Sequence, residues 1–396
     1  MSLFSAVELA PRDPILGLNE AFNADPRMGK INLGVGVYYD EAGKLPLLKA
    51  VIQAEQARVA QHAARGYLPI DGIATYDKAV QVLLFGEQSP LLAEGRVVTV
   101  QAVGGTGALK LGADFIKRLK PDTVVAISDP SWENHRALFE TAGFPVQDYR
   151  YYDATNHGVD RSGLLEDLNA LPSGSVVVLH ACCHNPTGVD LTRSDWEQVL
   201  DVVRAKGHIP FLDIAYQGFG DGIAEDAEAV RLFAEAGLEF FVSSSFSKSF
   251  SLYGERVGAL SIVTASRDES ARVLSQVKRV IRTNYSNPPT HGATIVATVL
   301  NSTELRALWE SELAEMRSRI RDMRLALVDR LAGASQDFSF IQQQRGMFSY
   351  SGLTTAQVHR LRDEFGIYAL DTGRICAAAL NQGNLGIVTD AIRKVI

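Results

Sequence analysis

Residues 101–118, QAVGGTGALKLGADFIKR, begin as an apolar extended run, turn through Gly104, Gly105, Thr106 and Gly107, and continue as a helix with one apolar face. Strand, glycine turn and helix in that order form the repeating unit of an α/β fold. Outward from it, between Val97 and Val263, the runs VVTVQAV, TVVAISD, SVVVLHA, HIPFLDI, FFVSSS and ALSIV alternate with amphipathic stretches such as SDWEQVLDVVRAK. That rhythm predicts an α/β domain around a mostly parallel sheet. Helical spacing follows over 267–282 and 302–331, the second long enough to join two domains. The remainder, with DFSFIQ, GMFSYSGL, the helical TAQVHRLRDEFG and RICAAAL, reads as a small α+β unit that completes a crevice.

A chain of 396 residues suggests about two domains and a core large enough to carry a catalytic crevice. Charges are mixed along the sequence, and a formal net charge of -7 gives no electrostatic reason to approach nucleic acid or an anionic membrane. Cys182, Cys183 and Cys376 show neither a disulfide framework nor zinc-ligand spacing, and an adjacent pair on an extended chain points its side chains apart. Reduced thiols fit a cytoplasmic protein. The start, MSLFSAVELAPRDP, lacks the basic and apolar segments of an export signal, so a soluble protein that is not secreted is expected.

In open α/β sheets ligands bind beyond the carboxyl ends of the strands, which directs attention to polar residues just after apolar runs. The Gly104–Gly107 turn is suited to phosphate, because glycines let backbone N–H groups approach an anion at a helix N-terminus; a tight turn without a ligand is the alternative. In HIPFLDIAYQGFG, Asp213 ends an apolar run and Tyr216 follows. A buried carboxylate there suits a cationic ring nitrogen, or else caps a helix. In VVVLHACCHNPTG, Asn185 turns the chain before Pro186 and presents an amide that can donate to a phenolic oxygen, though the segment also makes sense as a plain turn. In FFVSSSFSKSFSLYGERVG, Lys248 follows a wholly apolar run among small hydroxyls. A desolvated amine beside a cation becomes nucleophilic near neutral pH, and Arg256 supplies a guanidinium of the right geometry for a phosphate.

Taken in order, GGTGALK, DPSWENH, HNPTG, DIAYQGFG, SFSKSFSLYGERVG, NYSNPP and GRI resemble the class I aminotransferases of the aspartate and aromatic amino-acid branch, over nearly the whole chain. The resemblance implies a fold-type I enzyme dependent on pyridoxal 5′-phosphate. Its large domain, with a mostly parallel seven-stranded sheet, would cover 46–310, and a smaller α+β domain would combine 1–45 with 311–396. It also implies a homodimer whose active sites lie between subunits. Lys248 then holds the cofactor as an imine and later moves the proton at the substrate Cα. Asp213 partners the ring nitrogen, Tyr216 and Asn185 the ring oxygen, and Trp132 stacks on the ring. Gly105, Thr106, Ser245 and Arg256 form the phosphate cup, with Tyr67 reaching over from the other subunit.

For substrate, the resemblance assigns the α-carboxylate to Arg374, and adds Gly36, Asn185 and Trp132 to the lining. Arg282, from the other subunit, matches the arginine that binds the side-chain carboxylate of aspartate or glutamate and moves aside for an aromatic ring. WENH and SFSLYGERVG look more like bacterial tyrosine aminotransferases than aspartate-only enzymes. The expected reaction is transamination between tyrosine, phenylalanine or aspartate and 2-oxoglutarate. An aspartate aminotransferase with little aromatic activity is the alternative.

Three rivals fit less well. Ser245-Phe246-Ser247-Lys248 matches the S-x-x-K of acyl-enzyme hydrolases, but the accompanying S-D-N and K-T-G elements and an export signal are missing. GGTGALKLG does not give the G-x-G-x-x-G turn of a nicotinamide dehydrogenase, and Asp129, at about the right distance, opens DPSWENH. No basic helix-turn-helix segment precedes the fold, as a regulatory DNA-binding fusion would require.

Overall fold

Seven strands carry the architecture: β1 Val97–Val103, β2 Val125–Asp129, β3 Val146–Arg150, β4 Val176–His180, β5 Ile209–Ile214, β6 Phe240–Ser245 and β7 Val257–Val263. The computed structural model describes residues 2–10, 13 and 15–396. The sheet order is β1-β7-β6-β5-β4-β2-β3, and β7 alone runs against its neighbours. Most strands are buried on both faces. Val176 and Val178 join one apolar cluster with Phe211 and Leu260, while Val177 and Leu179 join the other with Leu212 and Val242. This is why they read as continuous apolar runs rather than as alternation. The exception is β3, VQDYR, an edge strand with only Tyr149 buried, which no apolar run announces. Within DFSFIQ and just after it, Ser339–Gln343 forms a short 3-10 helix.

Six strands point their carboxyl ends to one edge of the sheet, and the reversed β7 brings its amino end there too. The segments after β1, β2, β4, β5 and β6, and Arg256 just before β7, therefore converge from distant parts of the sequence.

After β1 the chain enters α1, Gly104–Leu119, whose first turn has no side-chain cap. The Gly104 N–H donates to the Arg256 carbonyl at 2.9 Å, and the N–H groups that follow it are left for another partner. Gly104 sits at φ +69°, and a Cβ there would lie 2.5 Å from the Arg256 guanidinium. Gly258 in β7 is equally constrained, because a Cβ would meet the Gly104 carbonyl carbon at 2.4 Å. Glu133–Thr141 forms α2 after β2, Arg193–Lys206 forms α3 after β4, and Arg267–Asn284 forms α4 after β7. A Thr192–Asp195 capping box starts α3, matching the amphipathic reading of that stretch.

The two chain ends meet. Ile31–Asn32 pairs in parallel with Ile367–Tyr368, and Phe348–Tyr350 pairs antiparallel with Arg374–Cys376. Helix α5, Thr303–Leu331, links this part to the large sheet. Near its start Trp309, 1% exposed, stacks on Phe250 and donates to the Ser249 carbonyl at 2.7 Å. Nearer its end Arg324 donates to the carbonyls of Gly346 and Phe348.

Candidate active site

A cleft of about 220 Å³ opens at the converging strand ends. Of the residues singled out from sequence, Gly36, Gly105, Thr106, Trp132, Asn185, Asp213, Tyr216, Ser245, Lys248, Arg256 and Arg374 all line it. Tyr67 and Arg282 do not. They line a separate cavity with Tyr285 and Pro288, where Tyr67 is 97% exposed and Arg282 hydrogen-bonds Ser286.

Asp213 ends β5 as a strand residue, not a helix cap, with its carboxylate buried. His135 of α2 donates through Nε2 to Asp213 Oδ2 at 3.0 Å, and Ser131 Oγ donates to the other ring nitrogen at 2.9 Å. The remaining oxygen, Asp213 Oδ1, is buried with no partner. Burial pushes this carboxyl up, but the hydrogen bond from His135 and the nearby Lys248 ammonium outweigh it and hold the group below its ordinary range. A buried carboxylate kept ionised with one open oxygen is suited to a cationic N–H donor.

Lys248 stands half-buried past the end of β6. Burial lowers its amine to about 8, with Arg256 adding to the effect and Asp213 opposing it. Its Nζ lies 4.6 Å from the centre of the Tyr216 ring. Burial raises the Tyr216 phenol well above its ordinary value, so it remains a neutral donor. Around the uncapped start of α1 stand Ser245, Ser247 and Arg256, whose Nη1 donates to Ser247 Oγ at 3.2 Å and to the Tyr253 carbonyl at 2.9 Å. Open backbone N–H groups, two hydroxyls and a guanidinium together could hold an anion such as a phosphate.

At the opposite chain end Arg374 is 1% exposed. It donates to Asn185 Oδ1 at 3.1 Å and to the Gly34 carbonyl at 2.6 Å, while its Nε has no partner. The Phe348 ring packs 4.1 Å from the guanidinium carbon and edge-on to Tyr216. Such a guanidinium, held by neutral acceptors, is ready for a carboxylate.

The comparisons with known proteins agree with this geometry. The family model for aminotransferase class I and II matches residues 28–392. The chain is a member of that family. An aspartate aminotransferase of Pseudomonas aeruginosa is 78% identical over 398 residues, and an aromatic-amino-acid aminotransferase of Escherichia coli is 51% identical over 397, each match covering 100% of both chains. Among solved structures, an aromatic-amino-acid aminotransferase from Burkholderia pseudomallei, covalently bound to pyridoxal phosphate, superposes with a TM-score of 0.98 at 70% identity, again over 100% of both chains.

Several residues in or behind the cleft of this aminotransferase escaped the sequence reading. His135 lies inside the quoted DPSWENH, Tyr253 inside SLYGERVG, and Phe348 inside GMFSYSGL, yet only the fold shows what they touch. His180 and His184 extend the polar layer behind Asp213. Burial holds His180 down at about 3, with His135 adding to the effect and the Asp213 charge opposing it. His184 donates from Nε2 to Ser128 and accepts at Nδ1 from Thr187. The cysteine pair does not follow the extended-chain expectation. Cys183 adopts φ +52°, so the chain is not extended there, and both thiols lie within 4.8 Å of each other and of the Asp226 carboxylate. The carboxylate already accepts from the N–H groups of Gly218, Gly220 and Asp221. Cys183 is pushed up to about 12 by burial, its hydrogen bond with Cys182 opposing, and so stays a neutral thiol.

Proposed function

We propose that this aminotransferase holds pyridoxal 5′-phosphate in the cleft and exchanges amino groups between aromatic amino acids or aspartate and 2-oxoglutarate. The observation that carries the reading is the ionised, half-satisfied Asp213 in the same cleft as Lys248, whose amine burial lowers to about 8. The uncapped start of α1 beside Ser245, Ser247 and Arg256 fits the cofactor's phosphate. Bound there, the cofactor supplies an aldehyde that condenses with amines and a ring that accepts the electron pair released at the substrate Cα.

The chain's own residues do the rest. Lys248 Nζ would anchor the cofactor and, once displaced by a substrate amine, take and return the Cα proton. Asp213 Oδ1 would accept the ring N–H and keep it protonated, with His135 holding the carboxylate in place. Tyr216 and Asn185 would donate to the ring oxygen, and Trp132 would cover a ring face. Arg374 would bind the substrate α-carboxylate. Gly36 keeps room beside it, since a Cβ there would meet the Phe348 ring at 2.6 Å. Burial excludes water and strengthens each of these interactions.

The division into a large unit over 46–310 and a smaller one from 1–45 and 311–396 is supported by the pairing of the two chain ends. A homodimer is supported by the position of Tyr67 and Arg282, which line a cavity apart from the cleft and would complete the cleft of a second copy. No helix among the described residues is long and apolar enough to cross a membrane, which accords with a cytoplasmic enzyme.

Relatives named for both substrate classes support dual specificity. The 78% identity to a protein named aspartate aminotransferase favours the second reading, aspartate with little aromatic activity. Steady-state rates with aspartate, tyrosine and phenylalanine against 2-oxoglutarate, in wild type and Arg282→Ala, separate the two. Dual specificity predicts that aspartate turnover collapses in the variant while phenylalanine turnover largely survives. Negligible wild-type turnover of both aromatic donors would establish the narrower enzyme.

A further inference from the structure

A second cavity, of about 250 Å³, shares no lining residue with the catalytic cleft. Arg317, Arg321 and Arg324 of α5 line it together with Arg345, Gln344 and Asp221. Four guanidinium groups thus face one carboxylate. That carboxylate is taken, because Asp221 pairs with Arg345 at 2.5 Å. Arg317, Arg321 and Arg324 have no acidic partner among the described residues.

Their spacing, i, i+4 and i+7, places the three on one face of the helix, where like charges repel. Solvent accounts for Arg321, which is exposed, but not for Arg324, which is 3% exposed. Arg324 meets only neutral acceptors: Ser349 Oγ at 3.0 Å, the Gly346 carbonyl at 2.7 Å and the Phe348 carbonyl at 3.1 Å. Its Nη1 makes no hydrogen bond among the described residues. Burial lowers Arg324 to about 10, so it is still charged at neutral pH. The Asp190 carboxylate acts on Arg324 only through space, and a buried guanidinium with no counter-ion in contact is unfavourable unless an anion completes it. Arg317 is fixed from the other side, donating to the Gly218 carbonyl at 2.8 Å.

We propose that this cavity is a binding site for a small phosphate-type oxyanion, gripped by Arg317, Arg321 and Arg324. Planar guanidinium forks match such an ion, and the space holds several water-sized groups. The site joins two segments that lead into the cleft. Gly218, held by Arg317, follows Tyr216 by two residues, and the Phe348 carbonyl held by Arg324 belongs to the residue that packs on Arg374.

The test uses the cofactor-saturated enzyme, so that the cofactor's own phosphate cup is filled. Calorimetric titrations with inorganic phosphate and with glycerol 3-phosphate, at constant ionic strength, should each show one saturable site per chain. The tighter of the two ligands tells whether a free ion or a phosphate ester is preferred. Arg321→Gln removes an exposed, unpaired side chain and should weaken binding about tenfold or more. Arg374→Lys, in the catalytic cleft, should leave it unchanged. Absence of saturable binding, or binding lost in Arg374→Lys and kept in Arg321→Gln, overturns the proposal.

Discussion

His135 Nε2 and Asp213 Oδ2 are 3.0 Å apart, and this contact fixes which oxygen of the buried carboxylate is left for a ligand. Replacing His135 by Phe keeps the ring and removes the donor. A hydrogen bond to a charged group is worth roughly 1.5–3 kcal/mol, so kcat should fall about ten- to a hundredfold. The Asp213 carboxyl should titrate higher, moving the acid limb of the pH profile upward. His135→Asn, which retains an N–H donor, should recover part of both changes.

The lowered Lys248 amine predicts a pH dependence with a definite sign. Between about 8 and the ordinary lysine value of 10.5, the unfolded chain carries a proton at this amine that the folded chain does not. Stability of the cofactor-free protein should therefore rise with pH across that window and lose the contribution as pH falls through 8. Urea unfolding of wild type and Lys248→Met at several pH values checks this. The two stability profiles should differ in slope between 8 and 10.5 and run parallel below it.

Much of this site was legible because its chemistry stands at strand ends. Asp213 sits at the end of a doubly buried strand and Asn185 and Lys248 each follow one, and such strands announce themselves as apolar runs. The edge strand VQDYR did not, since four of its five side chains are at least partly exposed and three of those are polar. His135 was invisible for another reason. Its partner lies 78 residues away, and nothing on an amphipathic helix distinguishes a histidine under a carboxylate from one packed in a core. Phe348 and Arg374 meet only because two short strands from the end of the chain pair in one register.

Trp309 predicts a stability effect felt at the active site. Its ring stacks 4.6 Å from Phe250, two residues past Lys248, and its Nε1 satisfies the Ser249 carbonyl. Trp309→Ala should destabilise the protein by about 3–5 kcal/mol in denaturant melts. Trp309→Phe should lose less and retain cofactor binding.

Subunit sharing has a direct test in mixed oligomers. If Arg282 serves the partner's cleft, Lys248→Ala and Arg282→Ala chains combined after subunit exchange rebuild one intact site in each mixed dimer. Roughly a quarter of wild-type aspartate turnover should return at equal mixing, because half the dimers are mixed and each has one working site of two. No recovery would place Arg282 and Lys248 in the same chain's site.

The central claim is that Lys248 carries the cofactor, and locating that bond tests it most directly. The purified enzyme is reduced with borohydride, digested, and its peptides are weighed. The account predicts pyridoxyl phosphate on the peptide containing Lys248 and on no other, with the visible absorbance lost in Lys248→Ala. Cofactor fixed to a different lysine, or a reduced enzyme with no labelled peptide, would contradict it.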